Sequence, residues 1–159
     1  MTSAAVVVCT LIDPTGRRAD LEEAEAGLTL GRQVAAATGG ELRWLVLGPE
    51  PDGLADVAER YGVASVDRIR HEGVGAGRPD AVVEALAQYC TTRPVALLLF
   101  EQTFDTRLVA PRVAGRTDGS VVMNAVDVGA SDTGGFEITA AAYGGDTRVV
   151  YDVAGGGSA

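Results

Sequence analysis

The sequence predicts a doubly wound, mostly parallel α/β sheet with an antiparallel β extension at its carboxy-terminal end. Three observations carry that prediction. Continuous apolar runs at residues 4–12 and 95–100 are too short for globular helices and lack the alternation of half-exposed strands. Helical patterns separate the strand-like runs over the first 128 residues, and that alternation implies right-handed crossovers. After Ser120 the helical spacers stop, and three β-type runs follow one another through short turns.

Taken in order, residues 4–12 read as a central parallel strand and Asp13-Pro14-Thr15-Gly16 as a turn, because Pro fixes φ and Gly tolerates positive φ. Asp20 is placed to cap the next helix, with Glu23 three residues on in a variant of the capping box. Leu21, Ala24, Leu28, Gly31 and Ala35 recur at helical spacing until Gly39-Gly40 ends the helix. A second strand over residues 42–47 stops at Gly48-Pro49. A short helix over 53–61 sets Leu54, Val57, Ala58 and Tyr61 on one side, and a weaker third strand spans 63–69. Residues 71–77 form a flexible loop, and residues 78–91 a helix with Val82, Ala85, Leu86 and Tyr89 at core spacing. The fourth strand, 95–100, passes through the polar turn Glu101-Gln102-Thr103 into a helix over 106–115. Strands at 120–128, 135–142 and 147–153 complete the chain as an antiparallel extension added to the parallel sheet. Residues 1–153 make one domain and 154–159 a flexible tail.

Composition narrows the function classes. A chain of 159 residues is one domain with room for a full core. No apolar run approaches the roughly 20 residues that span a bilayer. The amino terminus lacks the basic region of a signal peptide, so the expectation is a cytoplasmic protein without membrane insertion. The formal net charge is -9, and every one of the 13 basic residues is Arg. A nucleic-acid binder needs a basic surplus to neutralise phosphates, which excludes that class. Cys9 and Cys90 have no nearby His or Cys partner, give no metal-ligand spacing, and read as reduced core thiols.

Several motifs invite a chemical reading, each beside a plainer one. Gly73-Val-Gly-Ala-Gly77 precedes a helix as a phosphate loop does, but it has neither the dinucleotide fingerprint nor the P-loop spacing. Flexible connector is the preferred reading. His71 is the sole histidine, without a nucleophile near it, and reads as a solvent-facing loop residue. Asp13 and Glu101 follow the first and fourth strands and so belong at the carboxyl edge of the sheet, where such folds bind ligands. They read as turn formers before they read as an acid–base pair. Arg107, Arg112 and Arg116 share one helix, either as a solvated face or as a grip on an anion or partner.

The segment Leu108-Val-Ala-Pro-Arg-Val-Ala-Gly-Arg116, followed by Val121-Val-Met-Asn-Ala-Val126 and Tyr143-Gly144-Gly145, resembles the amino-terminal domain of the electron transfer flavoprotein alpha subunit. That domain has an apolar strand, a Thr-containing turn, a Leu-Ala-Pro-Arg-Leu-Ala helix and a Tyr-Gly-Gly-Asn turn. Thr103 matches the turn, Val109 to Ala114 the helix, and Tyr143 to Gly145 the hairpin. Upstream, the order of elements is that of adenine-nucleotide-binding (HUP-like) α/β domains. The chain departs from the family pattern at Thr106-Arg107-Leu108, where Gly-Arg-Asp is usual, at Asn124 in place of a strand Asp, and at Asp146 in place of the turn Asn.

The resemblance implies a non-catalytic scaffold and binding module. It would pair with an electron transfer flavoprotein beta-like subunit, with a flavin dehydrogenase as a further partner. The family's flavin-binding carboxy-terminal domain has no counterpart in these residues. FAD and AMP are therefore expected in the assembled complex rather than on this chain alone. Glu101, Gln102, Thr103 and Arg107 are the expected cofactor contacts, and Arg112, Arg116 and Tyr143 the expected interface residues; no catalytic or metal-binding residue is assigned. The competing reading is a stand-alone adenine-nucleotide-binding domain or small nucleotide hydrolase with its pocket at the carboxyl edge.

Overall fold

The computed structural model describes residues 5–13 and 19–155, with residues 19 and 20 described by their backbone alone. The expected turn at Pro14-Thr15-Gly16, the Asp20 cap and residues 156–159 of the tail lie outside that description. The elements run β1 (Ala5–Leu11), α1 (Ala19–Thr38), β2 (Leu42–Leu47), α2 (Leu54–Tyr61), β3 (Ser65–Ile69), α3 (Pro79–Thr92), β4 (Val95–Phe100) and α4 (Phe104–Arg116). Then come β5 (Ala125–Ala130), β6 (Phe136–Ala142), a 3-10 turn over Tyr143–Gly145, and β7 (Thr147–Val153).

The first four strands pair in parallel in the order β3-β2-β1-β4. Alternate residues of the two central strands feed two separate apolar clusters. Val6 and Val8 of β1 join Trp44 and Val46 of β2 against Leu21, Ala24 and Leu28 of α1 and Leu54 and Val57 of α2. On the opposite face, Val7, Cys9, Leu45 and Leu47 pack against Val82, Val83 and Leu86 of α3 and Val109 and Val113 of α4. Helices on both faces make the sheet doubly wound. That explains why β1 and β2 carry apolar residues on both sides of the pleat.

Local chemistry sets the helix limits. Gly53 and Gly62 bracket α2 in the left-handed conformation, with φ of 82° and 67°. Pro79 opens α3 at a position where its missing N–H costs nothing. The helix after the polar turn begins at Phe104, two residues earlier than its periodicity predicts, because Thr103 caps it. The Thr103 hydroxyl accepts from the Thr106 amide at 3.2 Å, and Thr106 Oγ1 accepts from the Thr103 amide at 3.0 Å. Pro111 lies inside α4 on its exposed side. The carbonyl of Arg107, which loses its helical partner there, thus belongs to a solvent-facing residue.

Two expectations at the carboxy-terminal end need correction. The antiparallel extension is present, but its strands form a sheet of their own in the order β5-β6-β7 rather than joining the parallel ladder. It reaches the body through side chains: Val128, Phe136 and Ile138 pack into the cluster on the α1 side. Residues 120–124 are not strand, and β5 starts at Ala125. Asn124 has φ of 56°, outside the β region, which ends any continuous strand there.

Three loops meet at the carboxyl edge of the parallel sheet. The carbonyl oxygen of Ile12 accepts from the Ala76 amide at 3.4 Å. A Cβ on Gly48, which has φ of 117°, would stand 3.0 Å from the same oxygen. The close approach and the positive φ together explain a glycine after β2.

Candidate functional site

The turn after β4 and the start of α4 gather three of the four expected contact residues around one cavity. It has a volume of about 460 Å³, and Glu101, Gln102 and Arg107 are among its lining residues. Apolar walls come from Leu97, Leu99, Val113, Val122, Phe136 and Ile138.

The polar atoms of this turn are engaged within the protein. Glu101 is half-buried, and its Oε1 accepts from the Thr10 hydroxyl at 3.2 Å. Thr10 Oγ1 in turn accepts from the buried indole N–H of Trp44 at 3.0 Å. The chain Trp44–Thr10–Glu101 thus satisfies a polar group inside the sheet and fixes the carboxylate at its rim. Gln102 is exposed, and its side-chain amide donates to the Ala125 carbonyl at 3.3 Å, tying the turn to the start of β5. Thr103 is consumed by the cap, and Thr106 lines the cavity in its place. Arg107 is exposed at the cavity wall. Burial, then the neighbouring Glu101 charge, holds the Cys9 thiol well above its ordinary pKa, so it is unreactive at neutral pH.

The glycine loop is tied down from within. The Gly73 amide donates to Nδ1 of His71 at 3.0 Å, Val74 to the His71 carbonyl at 2.9 Å, Ala76 to Ile12, and Gly77 to Asp105 Oδ2 at 2.6 Å. Amides committed in this way do not cradle a phosphate, and the connector reading fits them. His71 is exposed, as its loop position implies. Among the described residues no group of three or more His, Cys, Asp or Glu side chains is arranged to hold a metal ion. No helix of the described residues is long and apolar enough to cross a membrane.

The expected interface residues fall in two places. Arg112 pairs with Asp80 at 2.7 Å and Arg116 with Glu84, so both join α4 to α3 across their exposed sides. Hydrogen bonding to Gln88 and then to Arg116 holds the Glu84 carboxyl below its ordinary pKa. Exposed pairs of this kind contribute little to stability. Tyr143 lies elsewhere, in the 3-10 turn between β6 and β7, with φ of 50° and 85 % exposure.

Sequence periodicity missed the outward-facing apolar residues. Phe104 is 79 % exposed, and Leu108, one turn on, is exposed beside it. The signal was available, since Phe104 and Leu108 are offset from Val109 and Val113, which face the core. Val150 and Tyr151 of β7 are likewise exposed.

Comparison with known proteins gives three results. The model of a family described as the electron transfer flavoprotein domain matches residues 16–154. No curated protein matches the chain. Among solved structures, a universal stress protein in complex with cAMP superimposes with a TM-score of 0.43 at 18 % identity, over 77 % of this chain and 97 % of that one.

Proposed function

We propose, from the premise that this chain belongs to the electron transfer flavoprotein domain family, that it is an alpha-like subunit acting as a non-catalytic scaffold. In this reading it pairs with a beta-type subunit, and FAD and AMP are held by the assembled complex. The observation that supports this most is the separate antiparallel sheet. β7 lies at its edge, the sheet carries Val150 and Tyr151 exposed, and Tyr143 stands at its tip. Large exposed side chains beside an open strand edge suit association with another chain.

The carboxyl-edge chemistry supports binding over catalysis. Thr103 is committed to the helix cap, Glu101 to Thr10 and the Gln102 amide to Ala125, while Arg107 remains at the cavity surface to meet a polar ligand. Thr103 then acts by fixing the turn that presents the other three. The presence of Glu101, Gln102 and Arg107 around one cavity favours a second reading, in which the chain binds an adenine nucleotide by itself.

Co-expression with a beta-type subunit of the same family tests the proposal. The expected result is a stable 1:1 complex on gel filtration. A monodisperse monomer that ignores the beta-type subunit, yet binds AMP or ATP tightly in calorimetry, replaces the scaffold reading with the second one.

A further inference from the structure

α4 has a sharply divided surface. Thr106, Val109, Ala110 and Val113 face inward, and every exposed position of the helix is apolar, glycine or arginine. At 3.6 residues per turn, Phe104, Leu108, Pro111 and Gly115 fall within about 60° of one another and form one outward stripe. Arg107 flanks the stripe on the side of the cavity, and Arg112 and Arg116 flank it on the side of α3. Aromatic residues and arginine are enriched in protein interfaces, whereas Asp and Glu are depleted there. The exposed side of α4 has that composition.

Gly115 adds an independent observation. A Cβ placed there meets nothing within 4 Å, and its φ lies outside the left-handed region. Neither its backbone nor its neighbours in this chain call for glycine, which weakens a helix relative to alanine. A side chain approaching from another molecule does call for it. The bulky residues Phe104 and Leu108 lie in the first half of the stripe, and its small end lies in the last turn. Charge follows the same division. Asp105 lies in the first turn, and Arg112 and Arg116 lie towards the end on the same flank. Turned end for end, α4 complements itself in shape, in charge and in dipole.

We propose that two copies of this chain associate through α4, with the two helices antiparallel about a two-fold axis. Phe104 of each copy packs over Gly115 of the other, and Leu108 packs against Pro111. A two-fold contact is isologous, so equivalent flanks meet and Asp105 of one copy faces Arg112 and Arg116 of the other. Those arginines already pair with Asp80 and Glu84, and the contact joins the pairs into a network. Asp105 keeps Oδ2 on the Gly77 amide and offers its other oxygen. Arg107 lies on the opposite flank, away from this network. A helix of 13 residues is about 20 Å long, so the contact falls at or below the roughly 1,200 Å² of stable complexes. The dimer is accordingly weak, with a Kd on the order of 10–100 μM. It leaves β7 free and stands apart from the scaffold reading.

Sedimentation velocity on the 159-residue chain, from about 5 to about 500 μM, tests it. The average mass should rise toward twice the monomer value. Gly115→Gln fills the socket for Phe104 without touching the chain's own packing. It should weaken association by at least about tenfold while the urea midpoint stays the same or rises. Phe104→Ser should weaken association equally, and Val150→Thr with Tyr151→Ser should leave it unchanged. A monomer throughout the range, or a dimer indifferent to Gly115→Gln, overturns the proposal. Loss of association in the β7 pair places the contact on the antiparallel sheet and overturns it too. So does a monomeric chain whose Phe104→Ser variant binds a beta-type subunit more weakly, because the face then belongs to that subunit.

Discussion

β2 and β7 are both short β-type runs in the sequence, and the structure treats them in opposite ways. Every residue of β2 is buried, whereas five of the seven residues of β7 are exposed. β2 lies between two strands and beneath helices on both faces. β7 has one strand neighbour and faces solvent along its outer edge. Strand propensity is common to both, so burial comes from what the topology stacks on a strand. The parallel half holds the stability of the domain, and the antiparallel half offers surface.

That contrast breaks most visibly at Trp44. Its side chain is fully buried in the parallel half, so Trp44→Ala should cost roughly 3–5 kcal/mol in urea denaturation, the usual range for an aromatic cavity. A cost below about 1 kcal/mol would mean that the α1 face is loosely packed. Thr10→Val sharpens the point by removing the acceptor of the Trp44 indole N–H while keeping shape. The expected loss is about 1–3 kcal/mol for an unpaired buried donor. Since Trp44 is the sole tryptophan, its fluorescence reports the same transition.

Alkali should act on the parallel half through Cys9. Burial raises its folded pKa above the unfolded value, so the unfolded chain releases the thiol proton first. The stability is fully present below the unfolded thiol pKa of about 8.5 and is lost as pH rises toward the folded value. Between pH 8.5 and 10 the loss amounts to about 2 kcal/mol for one fully buried thiol. Cys9→Ala should remove this part of the pH dependence, and a pair of urea titrations at the two pH values measures it. A wild type no more pH-sensitive than the variant would show that the thiol is hydrated.

Thr103→Ala takes away the N-cap of α4 and should cost about 1 kcal/mol, read as a shift in the denaturation midpoint. The smallest stability effect belongs to β7. Val150→Thr with Tyr151→Ser should change stability by no more than about 0.5 kcal/mol per site, because both residues are exposed. The same pair is expected to weaken binding to a beta-type subunit by at least about tenfold in calorimetry, as loss of an aromatic anchor does. Unchanged affinity would move the interface away from the antiparallel sheet.

The sequence resolves the parts of this fold that local chemistry decides. The boundaries of β2 and β4 follow from apolar runs ended by Gly48-Pro49 and by Glu101-Gln102, and those of α2 from Gly53 and Gly62. The core faces of α1 and α3 follow from periodicity, and Leu21, Leu28, Val82 and Leu86 are all buried as expected. The site was less legible because its geometry is non-local. Thr103 read as a contact residue, and its role as a cap depends on Thr106 standing three positions on. Arg112 and Arg116 read either as a solvated face or as a grip on an anion or partner, whereas the groups they pair with, Asp80 and Glu84, come from another helix. Ser120 to Met123 read as strand because β propensity records a side-chain preference and says nothing of whether a neighbour is in place.

The crowding around the Ile12 carbonyl has a consequence for how the chain tolerates changes in length. The stretches after β1, after β2 and after β3 meet at that one oxygen, with Gly48 and the Gly75–Ala76 backbone against it. A shift of one residue that brings a side chain to the place of Gly48 or Gly75 puts it into a space sized for bare backbone. Grafts and permuted termini are therefore better placed at the outward turn over residues 131–134, where Asp132, Thr133 and Gly134 are exposed.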